Sequence, residues 1–190
     1  MALRLSVCIL ATLFVTACAE PPNKEMDQAQ GAIDAARAAG ADRYASSEYT
    51  AATDALKRAQ DAVTQRDYRQ ALNEALDSRE HAQNSAREAA ETRAQLRGEV
   101  ERDMAQIAGL IAEANTRLAA ANRTRTPRRV IDTSRRELAA VNEPVQKAGA
   151  AMKADDYLSA RTALQGVKER IEKTVKALET PAVQSSRRAP

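Results

Sequence analysis

The chain has no tryptophan, one phenylalanine (Phe14), four tyrosines, one histidine and two cysteines in 190 residues. With so few aromatics, a core built on large rings is excluded, and any interior must come from Ala, Leu, Val, Ile, Met and the tyrosines. Six glycines and six prolines are too few for a turn-rich all-β protein. A single His81, with cysteine only at Cys8 and Cys18, removes the usual nucleophile–base pairs and soft metal sites. There is no glycine-rich phosphate loop, and no aromatic residues are interleaved with the basic ones to stack bases, which disfavours nucleic acid. Neither sign of charge prevails: 29 Lys plus Arg against 26 Asp plus Glu leave a net +3, which selects no partner by itself. What is present is alanine, the best helix former and a residue that buries little surface. The expected fold is therefore all-α, built from long, thin, amphipathic helices in elongated antiparallel hairpins or a bundle.

The first residues read as an address. Arg4 precedes an apolar run from Leu5 to Val15, too short for a comfortable transmembrane helix, and small residues follow up to Cys18. Val15-Thr16-Ala17-Cys18 resembles the lipobox of bacterial lipoproteins, in which the cysteine thiol receives diacylglycerol and the chain is cut before it. A thiol suits that role because it alone is nucleophilic enough for thioether formation near neutral pH. On this reading residues 1–17 are a signal peptide, Cys8 is discarded with it, and Cys18 carries the covalent diacylglycerol and acyl groups. No thiol then remains for a disulfide, and no other cofactor is expected. Several acyl chains, at about 0.8 kcal/mol per buried methylene, would hold the protein on a membrane. In such lipoproteins an Asp after the cysteine favours the inner membrane. Ala19 stands there, so the resemblance implies the periplasmic face of the outer membrane.

Residues 18–24, with Pro21 and Pro22, form the expected tether, and helix is predicted from Lys24 or Glu25. Gly40 suits a helix end, Ser46 with Glu48 a start, and Asp67 with Gln70 a capping box. From Asp67 the apolar positions recur without proline; if Gly98 does not break it, one helix is expected over about 67–121, roughly 80 Å long at 1.5 Å per residue. The alternative is a break at Gly98. Thr126-Pro127 and Ser134 with Glu137 offer later starts, Pro144 should kink or interrupt the helix after it, and 154–178 reads as a final amphipathic helix. The domain reading is a hairpin unit over 25–97, a second over 98–179, and a disordered tail over 180–190.

A shift of 89 residues places Asp67-Tyr68 on Asp156-Tyr157, Ala71 on Ala160, Val63 on Met152, Tyr49 on Leu138, Ala52 on Val141 and Leu56 on Val145, indicating a duplicated hairpin. The Asp-Tyr corner resembles the hairpin of tetratricopeptide repeats, although the Trp and Leu-Gly of that repeat's first helix are missing. Over residues 25–95 the chain also resembles the bacterial lipoprotein family known as domain of unknown function 4398. Gly40, Ala41, Tyr44, Ala45, Glu48, Tyr49, Asp67 and Tyr68 carry the match. Ser46 stands where that family usually has proline, and Tyr49 where it has leucine. The resemblance implies a helical envelope lipoprotein and no activity.

Three constellations are candidates for chemistry. Asp77 and His81 lie four apart on one helix face, where they could touch one metal ion, although a solvated pair is the commoner outcome. Glu99, Glu101 and Asp103 point around their helix rather than converging, so no paired acid–base site is expected. Arg123, Arg125, Arg128 and Arg129, followed by Arg135 and Arg136, surround a proline corner. Their forks suit phosphate or carboxylate, making this the candidate site for anionic lipid, lipopolysaccharide or an acidic partner. The expected function is a non-enzymatic, lipid-anchored adaptor that binds a protein partner or peptidoglycan. Self-association is also expected, because helices burying only small residues gain little each.

Overall fold

The computed structural model describes residues 20–124 and 126–179; the expected signal peptide over 1–17, Cys18, Arg125 and the expected tail from residue 180 lie outside the described residues. The fold is all-α, as expected. Eight helices occupy the described residues: α1 Asn23–Ala38, α2 Ala41–Tyr44, α3 Ser46–Thr64, α4 Tyr68–Ala121, α5 Arg128–Ala140, α6 Asn142–Lys153, α7 Tyr157–Leu164 and α8 Val167–Glu179. They form two compact units divided between Ala86 and Arg87, inside α4. The long helix is continuous across Gly98, where an added Cβ would meet only the flexible end of Arg102, at 3.5 Å.

In the first unit, α3 runs antiparallel to both α1 and the start of α4. Arg37 of α1 donates to the Tyr49 hydroxyl, Arg58 of α3 pairs with Glu74, and Ser78 of α4 donates to the Ala52 carbonyl. Gln28 of α1 accepts from Arg79, which places the start of α1 beside the start of α4. The core is made of small residues: Ala29, Ile33, Ala52, Leu56 and Ala82 pack together, with Met26 and Tyr49 at the edge. Alanines at Ala71, Ala75, Ala82 and Ala89 and serines at Ser78 and Ser85 give α4 a fully buried stripe at alternating four- and three-residue spacing. Beyond Leu96 the stripe continues as Val100, Ile107, Ala114 and Ala121 at seven-residue intervals. The step from Leu96 to Val100 inserts four residues into the heptad pattern.

The second unit packs this later part of α4 against α5 to α8. Its core holds larger side chains, among them Val100, Ile107, Leu138, Val141, Leu164, Val167, Ile171 and Val175. The 89-residue repeat is visible at the level of single hydrogen bonds. The Asp67 amide donates to the Ala62 carbonyl at 2.9 Å, and the Asp156 amide to that of Ala151 at 2.9 Å. Arg66 and Asp155, just before the two aspartates, share the left-handed conformation with φ of 59° and 56°. Each aspartate then caps its helix: Asp67 accepts from the Gln70 amide at 2.9 Å and Asp156 from the Ser159 amide at 3.1 Å. Two left-handed non-glycine residues at equivalent positions are costly enough to mark a built corner rather than chance.

Burial repeats as well, while volume does not. Ala75, Ser78, Ala82, Ser85 and Ala89 correspond to Leu164, Val167, Ile171, Thr174 and Leu178, all buried. The second copy is also broken where the first is continuous. Pro144 has no N–H for the Ala140 carbonyl, so helix stops at Ala140, turns at Val141 and restarts as α6. The final helix expected over 154–178 is two helices, because Gly166 at φ 73° takes a left-handed conformation between α7 and α8.

Other local expectations need correcting. Ser46 is the first helical residue of α3, its side chain caps nothing, and an extra turn, α2, fills the connection after left-handed Gly40. Pro127, not Thr126, is the cap position of α5, and Ser134 lies buried inside that helix instead of starting one. Helix also starts before Lys24: Pro22 is buried, its carbonyl accepts from the Met26 amide at 3.0 Å, and α1 starts at Asn23.

Both corners invite a direct test. Asp67→Ala and Asp156→Ala should each cost about 1 kcal/mol, the usual loss when an N-cap acceptor is removed, with urea midpoints as the readout. Loss of several kcal/mol from one substitution alone would show that the corners are not equivalent.

Candidate functional site

The arginine corner is formed by the end of α4 and the first turn of α5. Arg123 lies in the turn after Ala121, where Thr124 donates to the Ala121 carbonyl and its hydroxyl sits 2.8 Å from that of Thr126. Pro127 then sends the chain into α5, whose first turn has no acidic residue and no side-chain cap. Arg123, Arg128 and Arg129 are exposed and make no ion pair among the described residues. Farther along α5, Arg135 lies 3.9 Å from Asp132, and Arg136 reaches the Thr133 hydroxyl at 3.4 Å.

At 100° per residue, Arg128, Arg129, Asp132, Arg135 and Arg136 share one face of α5, carrying four positive charges against one negative. The opposite face holds Ser134 and Leu138, both buried, and Leu138 belongs to the core of the second unit. That apolar face is therefore already used, and α5 does not have it available to enter a bilayer as an amphipathic helix would. What remains is a rigid, arginine-lined surface suited to phosphate or carboxylate.

Asp77 and His81 are not brought together. His81 Nδ1 instead lies 2.8 Å from Glu48 Oε2 of α3, a cross-helix pair with both partners about a third or more exposed. The stretch 99–103 behaves similarly: Glu101 pairs with Arg97 at 2.8 Å along the helix. Among the described residues no group of three His, Cys, Asp or Glu side chains is placed to hold a metal ion.

No family model, curated protein or solved structure matches this chain. Two further features lie apart from the arginine corner. Tyr157, at the second Asp-Tyr corner, donates its hydroxyl to Asp155 at 2.8 Å, and that bond to the carboxylate pushes the tyrosine pKa up. Arg93 of α4 reaches the same carboxylate at 3.4 Å, tying the corner to the long helix.

At the start of the first unit an open groove of about 670 Å³ is lined by Glu20, Pro21, Pro22, Lys24, Tyr68, Arg69 and Leu72, among others. It did not show in the sequence, because its two walls are helix starts separated by some 45 residues that only the antiparallel α3 brings side by side. The one hint was the Asp67-Tyr68 cap, which begins a helix and so leaves a tyrosine at a corner. Among the described residues no helix is long and apolar enough to cross a membrane.

Proposed function

We propose that the protein is a lipid-anchored adaptor or scaffold on the periplasmic face of a bacterial outer membrane, working without catalysis and holding a helical surface toward a protein partner, peptidoglycan or a second copy of itself. The observation that carries this reading is the Val15-Thr16-Ala17-Cys18 box behind its apolar run, with Ala19 next. Supporting it, α1 begins a few residues after that box and the described residues are predominantly helical. The resemblance to the lipoprotein family of unknown function over residues 25–95 agrees with the same reading. The test is the mass of the N-terminal peptide from membrane-extracted protein. It should begin at Cys18 and carry a thioether-linked diacylglycerol and an amide-linked acyl chain; a peptide with a free Cys18 thiol would refute the anchor.

A second reading, binding of anionic lipid or lipopolysaccharide phosphates, is favoured by the unpaired arginines at the α5 corner. Arg128→Gln with Arg129→Gln removes two of the face's four positive charges from exposed positions, so the fold should be unaffected. Binding of the soluble body to anionic vesicles should weaken by about 1 kcal/mol per arginine, roughly thirty-fold in all, with a shallower salt dependence. An unchanged titration would rule this reading out.

A further inference from the structure

We infer that the open groove where α1 and α4 begin is a membrane-docking surface, seated on the zwitterionic phospholipid headgroups of the leaflet that Cys18 is anchored in; this rests on the lipidation of Cys18. The argument begins with chain length. Glu20 lines the groove and stands two residues after Cys18, so whatever path residues 18 and 19 take, the two Cα atoms are at most about 7 Å apart.

The next residues give no further slack. Pro22 is buried, the Asn23 amide donates to the Pro21 carbonyl at 2.8 Å, and helix starts at Asn23. The headgroup layer of one leaflet is about 6 Å deep. A cysteine whose acyl chains enter the hydrocarbon therefore holds the groove within or against that layer.

The lining suits such a place. Tyr68 is half-buried and Leu72 partly covered, while Arg69 and Lys24 are exposed beside them. Tyrosine prefers the membrane interface, and long basic side chains lay their apolar stems there with the charge in water. Leu76, one turn farther along α4, is the exposed large hydrophobic residue of the described chain, at 37%. Glu20 and Glu25 balance Lys24 and Arg69 in the lining, so the surface has no net charge. That selects zwitterionic lipid and sets this surface apart from the arginine face of α5.

The experiment uses the absence of tryptophan as a dark background. Tyr68→Trp places one reporter in the groove and Ser47→Trp, exposed at the opposite end of the first unit, supplies the control. Both full chains, purified in lipidated form, are reconstituted into phosphatidylcholine vesicles with or without lipids brominated near the glycerol backbone. Docking predicts that the indole emission of the Tyr68→Trp protein shifts to the blue and is quenched by the brominated lipid, unchanged by salt. That of the Ser47→Trp protein stays as in water. A groove reporter that is unquenched and open to acrylamide on vesicle-bound, lipidated protein overturns the docking surface and leaves the anchor intact. A second groove variant, Leu72→Trp, guards against local disturbance at the corner and must give the same answer. Protein that carries no lipid by mass overturns the anchor itself, and the docking surface with it.

Discussion

Replacing Ile171 with alanine should destabilise the second unit by about 3 to 4 kcal/mol, the usual cost of deleting a buried aliphatic side chain that leaves a cavity. Ile171 is fully buried and packs among Val100, Val167 and Val175. The repeat makes this informative, since the equivalent residue of the first unit is Ala82, also fully buried. There alanine packs with Ala29, Ile33, Ala52 and Leu56, a core in which small side chains let the helices approach closely. The reciprocal change, Ala82→Ile, should overpack the first unit and cost about 1 to 3 kcal/mol. Urea unfolding of the two variants measures both. Ile171→Ala with a loss below about 1 kcal/mol would mean that the second core collapses around the gap, and that the copies are more alike in packing than their side chains suggest.

The largest effect on location belongs to Cys18. Expressed behind a leader that is cleaved without lipidation, the Cys18→Ser protein should move almost wholly from the outer-membrane fraction to the soluble periplasm. One myristoyl chain alone gives a membrane association constant of about 10⁴ M⁻¹, and each further chain multiplies it. If Cys18 carries the proposed diacylglycerol and acyl groups, the substitution removes several chains at once, so the change is close to all-or-none. The α5 arginines and the neutral groove offer only weak attractions by comparison, and washing with salt separates the electrostatic part. Retention of the serine variant in the membrane fraction after such a wash would show that something other than acyl chains holds the protein.

How much of this was legible beforehand differs from element to element. The helical character of 67–121 was, because no proline occurs between Pro22 and Pro127 and its small residues recur at helical spacing, but whether it runs through Gly98 was not. Pro144 announced the α5–α6 break correctly, since a missing N–H acts locally. Gly166 announced the α7–α8 break just as locally, but an amphipathic pattern running through it outweighed one glycine. The Asp67 cap was readable, while the left-handed Arg66 and Asp155 were not, because neither residue type demands that conformation.

For the site, charge was legible and pairing was not. The arginines of the corner stand out in the sequence, yet that Arg123, Arg128 and Arg129 make no ion pair among the described residues, and that the apolar face of α5 is used up in a core, depends on residues far along the chain. His81 shows the same limit: its sequence neighbour Asp77 was the obvious partner, and the fold supplied Glu48 instead. The burial of Pro22 is the clearest case, since a Pro-Pro pair reads as slack chain and becomes fixed only where α1 meets its neighbours.

One consequence is visible in α4 itself: the last helix of the first copy runs on without a joint into the opening helix of the second, so no loop separates the two copies. The two aspartate corners match bond for bond, while the buried residues after each differ in size, as Ala82 and Ile171 do.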